Sequence, residues 1–157
     1  MKIEKDSYVF RLLTKNDIDQ LYDLLNSLPA VEKQFFYPHP FDKHTLLENC
    51  SSTKDHFFVM EQKGKIIGYS FLRLFSYTTP SFGCCIRKEY QGQGYGSLLT
   101  EETMNKAKEQ GHQKVILKVY KENTSAITIY EHIGFKILGE TEDKKQYKME
   151  KAFISKD

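Results

Sequence analysis

Apolar residues recur along the chain at two spacings, and each spacing predicts one kind of element. Between Ile18 and Leu28 they lie three and four positions apart, the period of a helix with one buried face. The same spacing between Ala126 and Ile133 predicts another helix. Short runs rich in β-branched and aromatic residues predict strands, at residues 8–13, 56–61, 65–75, 81–87, 115–120, 135–139 and 145–151.

The order of the elements predicts the class of fold. Two more helices are expected, a short one over residues 43–50 and a longer one that ends near Gln110. Pro29 should end the first helix, and residues 31–42 read as an irregular aromatic segment. The order is then strand, two helices, three strands, helix, strand, helix and two strands, which is typical of an α/β sandwich with a mixed sheet. Residues 1–157 contain no repeat or linker, so we expect one domain.

Charge and composition exclude several classes of protein. The net charge is only +2 and the basic residues alternate with acidic ones, which argues against a nucleic-acid partner. The basic residues around Lys118 are interpreted as solvated surface. No apolar run approaches the roughly 18 residues of a membrane helix, and the charged N-terminus does not resemble a signal peptide. We therefore expect a soluble, cytoplasmic protein with no membrane partner.

The three cysteines and five histidines do not form a recognisable framework. Cys84 and Cys85 are adjacent, Cys50 stands alone, and the histidines are dispersed. An odd number of cysteines without a Cys-x-x-Cys pair is not typical of disulfide or zinc frameworks. We expect no bound metal.

A glycine-rich stretch is the most informative segment of the chain. Gln91-Gly92-Gln93-Gly94-Tyr95-Gly96 follows a predicted strand and opens a helix. The first amides of a helix lack intrahelical partners, and such an end binds phosphate. The spacing lacks the lysine of a P-loop and differs from the Gly-x-Gly-x-x-Gly of a dinucleotide fold. A turn without a ligand is the remaining alternative.

This stretch resembles the signature of the GNAT family of N-acetyltransferases, Gln/Arg-x-x-Gly-x-Gly/Ala, which is intact at residues 91–96. A second block, residues 123–135, is similar to the family's Asn-x-x-Ala-x-x-x-Tyr-x-x-x-Gly-Phe stretch. The order of elements agrees over nearly the whole chain, although residues 30–55 match nothing specific.

The resemblance implies a fold and a cosubstrate. The fold would be a mixed, mostly antiparallel sheet of six to seven strands with helices on both faces, its strands splayed at the cofactor cleft. Acetyl-CoA would lie between the strand that ends near Arg87 and the strand over 115–120. The implied cofactor-binding residues are Cys85, Ile86 and Lys88 along the pantetheine, Gln91, Gly92, Gln93, Gly94, Tyr95, Gly96 and Ser97 at the pyrophosphate, and Asn123 and Tyr130.

The resemblance also implies a reaction, the direct attack of a primary amine on the thioester. A backbone amide near Ile86 would stabilise the oxyanion. Tyr130 would protonate the leaving thiolate as general acid, although its place on the apolar helix face also suits a core residue. Asn123 either contacts the cofactor or caps the helix. The acceptor would be a small molecule or a peptide, and the resemblance leaves a homodimer open.

The general base is the point at which the chain departs from the family. Many members carry a glutamate on the strand before the glycine loop, and here that strand, residues 81–86, has no carboxylate. A neutral amine entering from water would need no base. Cys84 and Cys85 are interpreted as small strand residues rather than nucleophiles. The residues considered as alternative bases are Glu61, Glu89, His39, His44 and Asp42.

The acceptor pocket is expected to use residues 30–44 and 71–75. The aromatic cluster Phe35, Phe36, Tyr37 and Phe41 is either a wall of this pocket or part of the core. Three functions remain open: an active N-acetyltransferase, an acetyl-CoA-binding sensor without turnover, and a structural domain with an empty cleft.

Overall fold

The computed structural model describes residues 3–4, 7–75 and 78–153, and it shows one sheet with helices on both faces. The described elements, in chain order, are β1 Val9–Leu12, α1 Ile18–Asn26, α2 Ala30–Phe35, α3 Lys43–Cys50, β2 His56–Gln62, β3 Lys65–Arg73, β4 Ser81–Ile86, α4 Tyr95–Glu109, β5 Lys114–Tyr120, α5 Thr124–Ile133, β6 Lys136–Glu140 and β7 Gln146–Ala152.

The sheet has seven strands in the order β1-β2-β3-β4-β5-β7-β6. Neighbouring strands are antiparallel except β4 and β5, which are parallel. The mixed, mostly antiparallel sheet expected from the sequence is therefore confirmed. Because α4 connects β4 to β5, these two strands can run in the same direction, as a parallel pair requires.

Each face of the sheet is covered by helices that present one apolar stripe. On one face, Leu21, Leu24 and Leu25 of α1 are fully buried against β2 and β3. On the other face, Met104 of α4 and Ile127 of α5 are buried against the central strands. The 3.6-residue periodicity of the sequence identified the buried face of α1, whereas in α5 the predicted face is half-buried and Ile127, outside it, is the buried residue.

Helix α2 was not expected from the sequence. Residues 31–42 were predicted to be irregular, but Ala30–Phe35 forms a short helix, so three helices rather than two separate β1 from β2. Pro29 precedes α2 and suits the start of a helix, whereas α1 has already ended at Asn26. None of its residues is buried. The sequence of this segment therefore has no regular apolar spacing that would predict a helix.

A charged cluster joins β1, β2 and the turn before α1. Arg11 donates hydrogen bonds to Asp17 at 2.7 and 2.9 Å and to Glu61 at 2.6 Å. Asp17 is 5% exposed and also accepts the Thr14 backbone amide at 2.8 Å. Burial alone would raise the pKa of Asp17, but the bonds from Arg11 and Thr14 outweigh it and lower the pKa. Asp17 thus completes a capping box with Thr14 at the start of this turn.

Of the helices described, none is long and apolar enough to cross a membrane.

The substitution Asp17→Asn should lower the free energy of unfolding by about 2 kcal/mol at neutral pH, because the carboxylate paired with Arg11 is lost. The pKa of Asp17 is lower in the folded chain than in the unfolded one. Its contribution is therefore present above the unfolded pKa and is lost as the pH falls through the folded value.

Urea denaturation of the wild type and of Asp17→Asn, at pH 7 and below about pH 4, measures this contribution. The difference in free energy of unfolding between the two proteins should shrink at the lower pH. The exposed Asp19→Asn is the control and should change stability by less than about 0.5 kcal/mol. An equal difference at both pH values would contradict the role given to Asp17.

Candidate active site

The sheet opens between its two parallel strands. In the described part of the chain, β4 and β5 are paired at one position, Ser81 with Ile116. Beyond that position each strand pairs fully with its other neighbour, β4 with β3 and β5 with β7. The strands therefore diverge toward the carboxyl end of β4 and leave a gap, which we call the cleft.

The hydrogen-bond pattern of β4 decides which backbone groups face the cleft. The amide of Arg87 donates to Ile67 of β3 at 2.7 Å. Because bonds alternate along an antiparallel ladder, Cys85, opposite Tyr69, also bonds to β3, whereas the amides of Cys84 and Ile86 point away from β3 into the cleft. The edge of β4 thus offers amides to an extended ligand.

The glycine loop lies directly after this edge. Gly92 and Gly94 have φ of 74° and 95°, a region that favours glycine, although a Cβ at either position would meet little. α4 begins at Tyr95, and Leu98 N donates to Gly94 O at 3.2 Å. The amides of residues 95–97 precede that bond and have no partner inside the helix. The loop therefore presents a row of donors at the positive end of α4.

Side chains of the loop fix its shape. Tyr95 is buried, and its hydroxyl accepts a hydrogen bond from Gln62 Nε2 at 2.9 Å. Gln93 Nε2 donates to Glu89 O at 3.1 Å. Gly92, Gln93 and Gly94 are exposed, Ser97 is half-buried in the first turn of α4, and Lys88 is exposed in the short turn after β4. These side-chain contacts fix the loop, and its backbone amides remain accessible to a ligand.

Tyr130 brings a hydroxyl from α5 to β4. Its oxygen lies 4.0 Å from Cys84 Sγ, and its ring packs edge-on against Phe82 and Phe135. Burial, and then the proximity of Cys84, raises the pKa of Tyr130 well above its usual value. The hydroxyl is therefore protonated at neutral pH. The two interpretations of this residue are compatible, because core packing of the ring holds the hydroxyl beside β4.

Asn123 occupies the N-cap position of α5 but its side chain makes no capping hydrogen bond. Its backbone carbonyl accepts the Ile127 amide at 3.1 Å. The half-buried amide side chain at the start of α5 is consequently available for another partner.

The thiols of Cys84 and Cys85 are not activated. Burial raises the pKa of both, and each stays a neutral thiol near pH 7. Cys84 contacts the Thr100 hydroxyl at 3.8 Å, and Cys85 packs in the core under α1–α3. Since a thiolate is the nucleophilic form, this environment does not favour a covalent enzyme intermediate.

His39, one of the bases considered from the sequence, is built into the core. It is 6% exposed, its Nδ1 donates to Pro40 O at 2.8 Å, and its Nε2 accepts the Tyr69 hydroxyl at 2.9 Å. Burial lowers its pKa. Both ring nitrogens are occupied, so His39 stays neutral and packs among aromatic rings.

The other considered bases have different partners or positions. Asp42 caps α3, and His44 pairs with a glutamate of the same helix. Glu61 lies on β2, two strands from β4, and pairs with an arginine of β1. Glu89 is exposed in the turn before the glycine loop. None of these side chains is among the described residues that line the cavity beside β4 and β5.

Glu32 is a carboxylate at the site that the sequence analysis missed. It lies on α2, and its Oε2 accepts a hydrogen bond from Gln91 Nε2 at 2.9 Å, while the same nitrogen donates to Ile86 O at 2.8 Å. Burial raises the pKa of Glu32, and the bond from Gln91 opposes the shift. Its charge also adds to the raised pKa of Cys85, after burial and the effect of Cys84. α2 thus delivers a carboxylate to the end of β4, where the strand itself has none.

A cavity of about 590 Å³ lies under α2 on the same face. Its floor is formed by β4, β5 and β7, and its wall by Gln34–Pro38 with Phe71 and Phe75. The aromatic cluster serves both roles considered for it, wall of the pocket and part of the core. Phe35 and Tyr37 line the cavity, Phe41 is buried in the core, and Phe36 does both.

In the described part of the chain, no group of three or more His, Cys, Asp or Glu side chains is placed to hold a metal ion.

Comparison with known proteins identifies similar sequences and folds. The model of the Acetyltransferase (GNAT) family matches residues 18–135. The [Ribosomal protein bS18]-alanine N-acetyltransferase of Haemophilus influenzae is 34% identical over 131 residues, which are 83% of this chain and 81% of that protein. N-alpha-acetyltransferase 30 of Schizosaccharomyces pombe is 38% identical over 50 residues, 32% of this chain. The chain spans only about a third of the length of that second relative.

A solved structure shows the same fold. Spermidine N-acetyltransferase from Vibrio cholerae, in complex with CoA and spermine, superimposes with a TM-score of 0.79 at 21% identity, over 94% of this chain and 96% of that one. At this identity the likeness concerns the fold.

Proposed function

The chain belongs to the GNAT family of acetyltransferases, and from that premise we propose that it transfers the acetyl group of acetyl-CoA to a primary amine by direct attack on the thioester. The observation that supports this most strongly is the cleft between β4 and β5, which ends at the glycine loop. An open strand edge followed by a helix N-terminus suits a ligand that is an extended amide chain at one end and a pyrophosphate at the other.

The cofactor contacts follow from the orientation of the backbone groups. The amides of Cys84 and Ile86 face the cleft, while Cys85 and Lys88 flank this edge. The Ile86 amide, nearer the glycine loop, would pair with pantetheine, and the Cys84 amide, farther from the loop, would face the thioester. The loop amides from Gln91 to Gly96, with the hydroxyl of Ser97, would hold the pyrophosphate. Asn123 lies at the start of α5, the helix that carries Tyr130 across the cleft, and its free side chain would contact the pantetheine.

In the transfer step the amine nitrogen forms a bond to the acetyl carbon, and the bond from carbon to sulfur breaks. The amide of Cys84, which points away from β3 on the residue that the Tyr130 hydroxyl contacts, would stabilise the negative charge on the carbonyl oxygen. Tyr130 would give its proton to the leaving sulfur. Burial keeps Tyr130 protonated until that moment, and its packed ring keeps the hydroxyl at β4.

Glu32 would accept the proton that the amine must lose. Its carboxylate lies beside Gln91 at the end of β4, outside the described lining of the cavity, and its raised pKa makes it a stronger base than an exposed glutamate. Gln91 orients it by donating to the carboxylate and to Ile86 O together. The lack of a carboxylate on β4 was the main reason to consider a sensor without turnover, and Glu32 weakens that reason.

The substitution Gly94→Glu should abolish acetyl-CoA binding in calorimetric titration, because a side chain and a negative charge would enter the proposed phosphate site. Gly111→Glu is a matched control, since Gly111 also has a positive φ, 87°, and open surroundings but lies at the other end of α4. Unchanged affinity in a folded Gly94→Glu protein would contradict the assignment of the loop.

The substitution Tyr130→Phe should lower kcat by about 100-fold while the affinity for acetyl-CoA stays nearly constant, because the hydroxyl acts in the transition state. Tyr147→Phe, in a half-buried tyrosine of β7, is the control for removing a hydroxyl. The measurement is thiol release with a saturating amine. Full turnover by Tyr130→Phe would exclude its role as acid.

The substitution Glu32→Gln should also lower kcat by about 100-fold near neutral pH, and a rise in pH should restore part of the rate as the amine loses its own proton. Burial raises the pKa of Glu32, so its charge destabilises the folded chain above that pKa. The variant should therefore be at least as stable as the wild type at pH 7.

Glu89→Gln, close to the same loop, is the control and should keep its activity. Glu32 would be refuted as the base if Glu32→Gln kept its full activity, or if its loss of activity came with a loss of stability.

A further inference from the structure

The floor of the cavity carries two lysines directly opposite each other. Lys118 of β5 and Lys148 of β7 are register partners, and both line the cavity. Side chains at such positions are about 5 Å apart at Cβ, and like charges placed there destabilise a sheet. Both side chains are exposed at the cavity, so solvent weakens this repulsion without removing it.

No acidic side chain compensates for these two charges. In the described structure neither lysine forms an ion pair, and Glu150, two positions along β7 from Lys148, is bound by Lys114 at 3.4 Å. No aspartate or glutamate is among the residues described as lining the cavity. The cavity is therefore positively charged.

The rest of the cavity is largely apolar and aromatic. Phe35, Phe36 and Tyr37 form one wall, and Phe71 and Phe75 form another. Phe35 also packs against Tyr120 of β5, with ring centroids 5.8 Å apart, which closes the cavity at that end. A volume of about 590 Å³ is large enough for a small ligand with a ring or a branched side chain.

We propose that the acceptor is a small primary amine with a carboxylate on an apolar or aromatic body, the class to which apolar and aromatic amino acids belong. Lys118 and Lys148 hold the carboxylate, and the phenylalanines contact the body. The proposal rests on the proposed acetyl transfer and names the substrate class of the same site. A polyamine fits less well, because its ammonium groups beyond the one that reacts near Glu32 would meet the two lysines of the cavity.

Paired acceptors test the proposal in a thiol-release assay. L-phenylalanine and phenethylamine differ by the carboxylate alone, and spermidine and an alanine-terminated peptide represent the other amine classes. We expect kcat/KM to be at least about tenfold higher for phenylalanine or leucine than for phenethylamine. Preference for phenethylamine, spermidine or the peptide overturns the proposal, as does acetyl-CoA binding without turnover of any carboxylate amine.

Single variants assign the effect to the lysines. Lys118→Gln and Lys148→Gln should each reduce the ratio of kcat/KM for phenylalanine to that for phenethylamine by about tenfold. Lys108→Gln, in an exposed lysine of α4 outside the described lining of the cavity, should leave the ratio unchanged. An unchanged ratio in both cavity variants overturns the proposal.

Calorimetric titration with acetyl-CoA separates a failure of the proposed function from a failure of the proposed substrate class. Absence of acetyl-CoA binding refutes the proposed function itself. Binding with transfer to an amine that lacks a carboxylate supports the function and refutes only the substrate class.

Discussion

The arrangement of the site depends on one constraint, that β4 and β5 pair at a single position. Each strand is bound along its whole length to its other neighbour, so neither can follow the other as they diverge. A buried strand edge must find hydrogen-bond partners. The gap in the sheet therefore creates a row of backbone donors and acceptors in the middle of the fold, and it connects the two faces of the sheet.

In the proposed mechanism, the two faces of the sheet carry different reacting groups. On the side of α4 and α5, Tyr130 reaches β4 through the packed core. On the side of α1–α3, Glu32 and the cavity lie against the same strand. Burial raises the pKa of both groups, which keeps the phenol protonated and makes the carboxylate more basic. The groups proposed as proton donor and proton acceptor thus stand on opposite sides of the strand that would hold the thioester.

The sequence predicted the scaffold well, for physical reasons. In α1 the apolar residues that recur three and four positions apart are mostly buried, and β2, β3 and β5 are largely buried apolar runs, so these elements leave a clear pattern in the sequence. The less buried α3 and β6 were also placed correctly. The glycine loop was identifiable because positive φ at Gly92 and Gly94 restricts the residue type.

The missed features depend on contacts that local sequence does not encode. α2 is short and half-exposed, so Glu32 could not be placed near Gln91 without the tertiary structure. Lys118 is exposed, as the sequence analysis expected, but its place opposite Lys148, 30 positions away, follows from the strand register and could not be predicted locally. His39 was considered as a base, but its neighbours in space show it to be a core residue with both nitrogens bonded.

The most direct measurement of the central claim is amide hydrogen exchange, resolved by residue with NMR, in the presence and absence of CoA. The account predicts slower exchange on binding at Cys84, Ile86 and the amides of residues 92–97, with little change at Cys85, which is already bonded to β3. Exchange that slows elsewhere, while β4 and the loop stay unchanged, would show that the cleft is not the cofactor site.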